Sequence, residues 1–133
     1  MTSRSALIID DEPDVTTYLG MVLGDNGWVV RTANTANRGL ALAAEAIPDV
    51  ILLDLMMPER GGMSTIEALR NDPRLSRIPI VLVTGVQNHL ACGLQSTPRH
   101  SSSLQPDARI EKPVEPEILI RTLEEVLKDR PGQ

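Results

Sequence analysis

Few residues of this chain could carry chemistry, and they are sharply placed: Asp10-Asp11-Glu12, Asp54, Thr84 and Lys112. Each lies at or just beyond the end of a short, mostly apolar run. Ala6-Leu-Ile-Ile9 leads into the acidic triplet, Val50-Ile-Leu-Leu53 into Asp54, Ile80-Val-Leu-Val83 into Thr84-Gly85, and Ala108-Arg-Ile110 runs up to Lys112-Pro113. Carboxylates brought close together repel, and at least one takes up a proton unless a cation intervenes. Mg²⁺ is the hard cation suited to one or two carboxylates, retained water and phosphate oxygens. An ammonium such as that of Lys112 is a compact charge for a phosphate oxygen, and the Thr84 hydroxyl is a donor. A carboxylate can itself attack phosphorus and form an acyl phosphate. In phosphoryl transfer the protein mostly positions groups and neutralises charge. None of this needs a histidine, and His89 and His100 both fall in an irregular stretch.

The elements that must position these groups read as alternating strands and helices. The runs at 6–9, 50–53 and 80–83 are continuous rather than alternating, the pattern of strands buried on both faces. Trp28–Thr32 is a fourth strand and Ala108–Ile110 a fifth, weaker one. Pro13 opens a helix whose inward face is Val15, Leu19 and Val22, ended by Gly27. Thr35 caps a second, with Leu40, Ala43, Ala44 and Ile47 inward. A third runs from about Met63, with Ile66 and Leu69 inward, to Asn71-Asp72-Pro73. The last begins near Pro116 and carries Leu119, Ile120, Leu123, Val126 and Leu127. Strands alternating with helices imply parallel pairing and a doubly wound α/β sheet, in which ligands bind beyond the carboxyl ends of the strands. The chemistry-bearing residues fall at that edge.

Composition bounds the reading. The 133 residues suit one domain, and 41% hydrophobic with 23% charged is ordinary for a globular protein. Aromatics are only Tyr18 and Trp28, so the core must be aliphatic. A formal net charge of −5 argues against direct nucleic-acid binding. Cys92, the lone cysteine, excludes an internal disulfide. No apolar stretch approaches a membrane span. A cytoplasmic protein is expected.

The sequence resembles the receiver domain of two-component response regulators. The resemblance lies in Leu7-Ile-Ile-Asp-Asp-Glu-Pro13, Leu52-Leu-Asp-Leu-Met-Met-Pro58 with Gly62, Val83-Thr-Gly85 and Lys112-Pro113, in that order. It covers about residues 5–128, within a single receiver domain expected over 1–133. It implies a flavodoxin-like sheet of order 2-1-3-4-5, helices on both faces and a phosphoacceptor at Asp54. It implies Mg²⁺ bound by Asp11, by Asp10 directly or through water, by Asp54 and by the backbone carbonyl of Met56. Thr84 and Lys112 would contact phosphoryl oxygens, and the Lys112–Pro113 peptide would be cis. The donor would be the phosphohistidine of a sensor histidine kinase or a histidine phosphotransfer protein. The downstream effector is unknown, and the only catalysis implied is of the domain's own phosphorylation and dephosphorylation.

Other readings stand beside this one. Asp10 and Asp11 would also favour the dipole of a helix opening at Pro13. Thr84 would suit a helix cap, and Lys112 a surface lysine that merely neutralises the acids. Two rival functions follow: a small Mg²⁺-dependent phosphatase or phosphotransferase with Asp10 as nucleophile, and a receiver-like interaction module working without phosphorylation. Two departures keep the second in play. Arg109 stands three positions before the lysine, where receivers usually carry an aromatic. Residues 86–106 are rich in Ser, Pro and Gly, so a short, irregular fourth helix is expected there.

Overall fold

The computed structural model describes residues 4–54, 62–84 and 107–128. Nine elements lie among the described residues, strands and helices alternating as far as the strand Ile80–Thr84. The strands are β1 (Ser5–Ile9), β2 (Val29–Ala33), β3 (Val50–Leu53), β4 (Ile80–Thr84) and β5 (Ala108–Glu111). The helices are α1 (Pro13–Asp25), α2 (Ala36–Glu45), α3 (Gly62–Asn71) and, at the C-terminal end, α4 (Pro116–Lys128). All strand pairs are parallel, in the order β2-β1-β3-β4-β5. The fourth helix expected within 86–106 falls outside the described residues.

The continuous apolar runs are explained by a sheet covered on both faces. Leu7 and Ile9 of β1, Ile51 and Leu53 of β3, and Ile80 and Leu82 of β4 pack against α2 and α3 through Leu42, Ala43, Ile66 and Leu69. The intervening residues, Ala6, Ile8, Val50, Leu52, Val81 and Val83, pack against α1 and α4 through Leu19, Leu23, Leu119 and Leu123. Successive side chains of a strand point to opposite faces, so each run feeds two cores at once.

Helix ends follow local chemistry. The Thr35 side chain accepts from the Arg38 amide and caps α2. At the far end of α2, Arg31 of β2 donates to the carbonyls of Leu42 and Ala46. After α1, Gly27 (φ +88°) donates to the Gly24 carbonyl and Trp28 to that of Leu23. This is the paired arrangement that ends a helix on a left-handed glycine, with Trp28 folding back onto Leu23 in the same core. Trp28 therefore closes the turn, and β2 starts one residue later than the sequence pattern indicated.

Two helix faces differ from expectation. In α2 the buried residues are Ala36, Gly39, Leu42 and Ala43; Leu40 is half-buried, Ala44 is exposed, and Ile47 lies beyond the helix and is 55% exposed. The helix approaches Ile9 so closely at Gly39 that this position has no room for a side chain, which turns Gly39, with Ala36, Leu42 and Ala43, toward the sheet. In α1 the buried row is Thr16, Leu19 and Leu23, with Val15 and Val22 on its flanks. The α3 face (Ile66, Leu69) and the α4 face (Leu119, Leu123) match.

Candidate functional site

The site is built from the residues just past the strand ends. In the ladder Ile9 pairs with Leu53, so Asp10 and Asp54 are the next residues of neighbouring strands. The backbone continues to hold them: the Asp54 amide donates to the Ile9 carbonyl and the Asp10 amide to the Ala33 carbonyl. Asn34 donates its side-chain amide to the Asp10 carbonyl. Asp10 is 1% exposed and Asp54 4% exposed. Asp11, half-buried, completes a group of three carboxylates, each offering one oxygen within 4.8 Å of the others.

Among the described residues, one cation, Lys112, faces this group. Lys112 Nζ lies 3.3 Å from Asp10 Oδ2, 3.4 Å from Glu12 Oε1 and 4.0 Å from Asp54 Oδ1. It follows β5 directly, and the Lys112–Pro113 peptide is cis. The next residue is tied across to α1, where the Tyr18 hydroxyl donates to the Val114 carbonyl at 2.9 Å. Thr84 ends β4 at the same edge, opposite Glu111 in β5. The side chain of Thr84 and all of Met56 fall outside the described residues.

Burial pushes the Asp10 carboxyl above its ordinary value, against the Glu12 amide and Lys112, which pull it down. Burial also works against the charge of Lys112, but Asp54, Asp10 and Glu12 outweigh it and raise its pKa. Burial thus sets the direction at Asp10, and the surrounding carboxylates set it at Lys112. A carboxyl whose folded-state pKa is raised contributes stability that is full below its unfolded value and lost as pH rises through the folded value. An Asp10→Asn protein should therefore lose less stability than wild type between acid and neutral pH when divalent cations are chelated. Urea midpoints in EDTA across that range check this. Parallel pH curves for the two proteins would contradict it.

The capping alternative is met only in part. Glu12, not Asp10 or Asp11, is the N-cap residue of α1, and no side chain caps it. Asp10 Oδ1 accepts from the Glu12 amide at 2.9 Å, so that carboxylate serves both the helix start and the pocket. The contact of the Glu12 side chain with Lys112 was not foreseen. Its position in the acidic triplet was the only available signal. Arg109 is exposed on the edge strand β5, in line with the cost of burying an unpaired charge.

The donor set suits a hard cation, being all oxygen, mutually close, largely buried and short of positive charge. No helix among the described residues is long and apolar enough to cross a membrane.

Fold and pocket together define a doubly wound α/β domain with a cation-ready acidic site at the carboxyl edge of its sheet. The response regulator receiver domain model matches residues 6–124, and the chain belongs to that family. Receiver domains are the signalling modules of two-component systems, and the chain spans about a third of the length of several of the curated relatives it matches. The chain is 34% identical over 123 residues to protein PilH of Pseudomonas aeruginosa, covering 91% of this chain and 95% of that protein. It is 38% identical over 80 residues to the DNA-binding dual master transcriptional regulator RpaA of Synechocystis, covering 60% of this chain but only 33% of that protein. Among solved structures, chemotaxis response regulator CheY4 of Vibrio cholerae superposes with a TM-score of 0.81 at 28% identity, covering 94% of this chain and 99% of that one. A sensor protein from a Polaromonas species superposes with a TM-score of 0.84 at 27% identity, covering 96% and 98%.

Proposed function

We propose that this chain, as one receiver domain over 1–133 with its core at about 5–128, relays a signal by accepting a phosphoryl group on Asp54. The donor is the phosphohistidine of a cognate sensor histidine kinase or a histidine phosphotransfer protein. The observation that carries the reading is the convergence on Asp54 of two further carboxylates and the Lys112 ammonium, 4.0 Å from Asp54 Oδ1.

Mg²⁺ would be held by Asp10, Asp11, Asp54 and the Met56 backbone carbonyl, and when bound it offsets charge on the carboxylates and on phosphoryl oxygens. The chain's own residues supply the rest. The Asp54 carboxylate attacks phosphorus, the bond to the donor's leaving atom breaks, and an acyl phosphate forms. Lys112 balances charge on the incoming oxygens, and Thr84 donates a hydroxyl to one of them. The acyl phosphate carries close to two negative charges where the carboxylate carried one, and the fold must accommodate the added charge and bulk by rearranging.

Asp10 is poorly placed as the nucleophile of a phosphatase, because one oxygen accepts from the Glu12 amide and the other lies against Lys112. Incubation with acetyl phosphate should add one phosphoryl mass with Mg²⁺ and none with EDTA. Borohydride reduction and peptide mapping should place the adduct on Asp54. An adduct on Asp10 would support the phosphatase-like reading. A protein that never gains mass would support the interaction module.

A further inference from the structure

Among the described residues of the pocket, one acidic side chain is used neither by the proposed metal site nor by helix capping. Glu12 is the N-cap residue of α1, yet its carboxylate makes no cap bond. Its backbone is already committed. The carbonyl accepts from Val15 and Thr16, and the amide donates to Asp10 Oδ1. From this fixed base the side chain turns to Lys112, placing Oε1 3.4 Å from Nζ. Lys112 therefore sits nearer to Asp10, at 3.3 Å, and to Glu12 than to Asp54, at 4.0 Å.

We propose that Glu12 is a positioning residue that holds Lys112 toward the rim, so that the ammonium's approach to a phosphoryl group on Asp54 is a competition Glu12 sets. The proposal rests on the phosphoacceptor reading of Asp54. Once a phosphoryl group presents its oxygens above Asp54, Lys112 moves toward them and relaxes its hold on Glu12. The Glu12 side chain is 63% exposed, so water takes over its solvation and the tether is weak by construction. A weak tether is an adjustable one. It keeps Lys112 charged and near the site while making the phosphorylated state compete for it. Asp10 cannot play this part, because its second oxygen is tied to the Glu12 amide and its burial leaves no route to water.

The test uses beryllofluoride, which mimics a phosphoryl group on a carboxylate, titrated against the whole chain at saturating Mg²⁺ with fluorine NMR as readout. Glu12→Gln should bind it roughly two- to five-fold more tightly than wild type, the range expected for releasing one exposed ion pair. The acetyl phosphate concentration giving half-maximal phosphorylation should fall by a similar factor. Asp14→Asn removes one charge from an exposed acid in the same helical turn and should leave both unchanged. In a Lys112→Gln background the effect of Glu12→Gln should disappear, as it must if Glu12 acts through the lysine. An unchanged Glu12→Gln, an equal shift in Asp14→Asn, or an effect that survives without Lys112 overturns the proposal. In each of those cases wild type still binds beryllofluoride. A wild type that does not bind it defeats the phosphoacceptor reading itself, and the positioning role with it.

Discussion

An Asp54→Asn protein is expected to fold, to lose phosphoryl uptake completely, and to be more stable than wild type when divalent cations are chelated. The first expectation follows from shape, since asparagine matches aspartate in size and the backbone bond from residue 54 to Ile9 is independent of the side chain. The second follows from chemistry, because a neutral amide is a far weaker nucleophile toward phosphorus than a carboxylate. The third is a matter of sign. Asp54 is 4% exposed, and loses repulsion from two carboxylates within 4.8 Å against attraction from one ammonium at 4.0 Å. At the effective dielectric near a protein surface each such pair is of order 4 kcal/mol. Among these three described pairs the two repulsions outweigh the one attraction, so the expected sign is a gain in stability. Urea unfolding in EDTA reads the stability, and intact mass after acetyl phosphate reads the chemistry. A loss of stability in EDTA would mean that Lys112 dominates the field at Asp54.

The same balance gives Mg²⁺ opposite weights in the two proteins. A ligand that binds only the folded state stabilises it in proportion to its affinity. Wild type, with three carboxylates to neutralise, should gain more from saturating Mg²⁺ than Asp54→Asn, so their order of stability narrows or reverses.

Much of this site was legible because strand ends are legible. Four continuous apolar residues followed by an acid can be read without tertiary information, and two such runs placed Asp10 and Asp54 side by side once the strands were known to be parallel neighbours. Lys112 follows a weaker run, Ala108-Arg-Ile-Glu111, and was placed by its resemblance to the family's Lys-Pro pair. What could not be read depends on contacts between distant residues. The capping threonine of α2 was evident, but the inward face was not, because the rotation of α2 is set by where it meets Ile9. Ile47 looked like a core residue by spacing and is solvent-exposed beyond the helix end. The turn of the Glu12 side chain toward Lys112 spans 100 positions, and the bond from Tyr18 to the Val114 carbonyl spans 96. Neither has a local signature. Arg109 shows the reverse case. Its charge alone indicated that it would avoid burial, and only Ile110 of β5 is buried.

Gly39 makes that hidden geometry measurable. Helix propensity alone says that glycine in the middle of α2 costs about 1 kcal/mol relative to alanine, so Gly39→Ala should stabilise. The structure reverses the sign. A Cβ at position 39 would lie 2.4 Å from Ile9 Cδ1, 2.6 Å from Cγ1 and 3.2 Å from Cγ2. A flexible surface chain could swing away, but Ile9 is fully buried in a core that also holds Leu53, Ile66 and Leu82. Overpacking of this kind costs about 1–3 kcal/mol and exceeds the propensity gain. Gly39→Ala should therefore destabilise by about 1 kcal/mol, and Gly39→Val, with two more carbons and a branched Cβ, by about 3 kcal/mol or more. The strain should reach the site as well, because Ile9 immediately precedes Asp10 and its carbonyl receives the Asp54 amide. Both variants should phosphorylate more slowly from acetyl phosphate at equal folded fraction. Ile9→Val removes the Cδ1 that makes the shortest contact, so Gly39→Ala should cost less in that background. Additive costs in the double variant, or a Gly39→Ala protein more stable than wild type, would show that the helix and not the sheet yields at this contact.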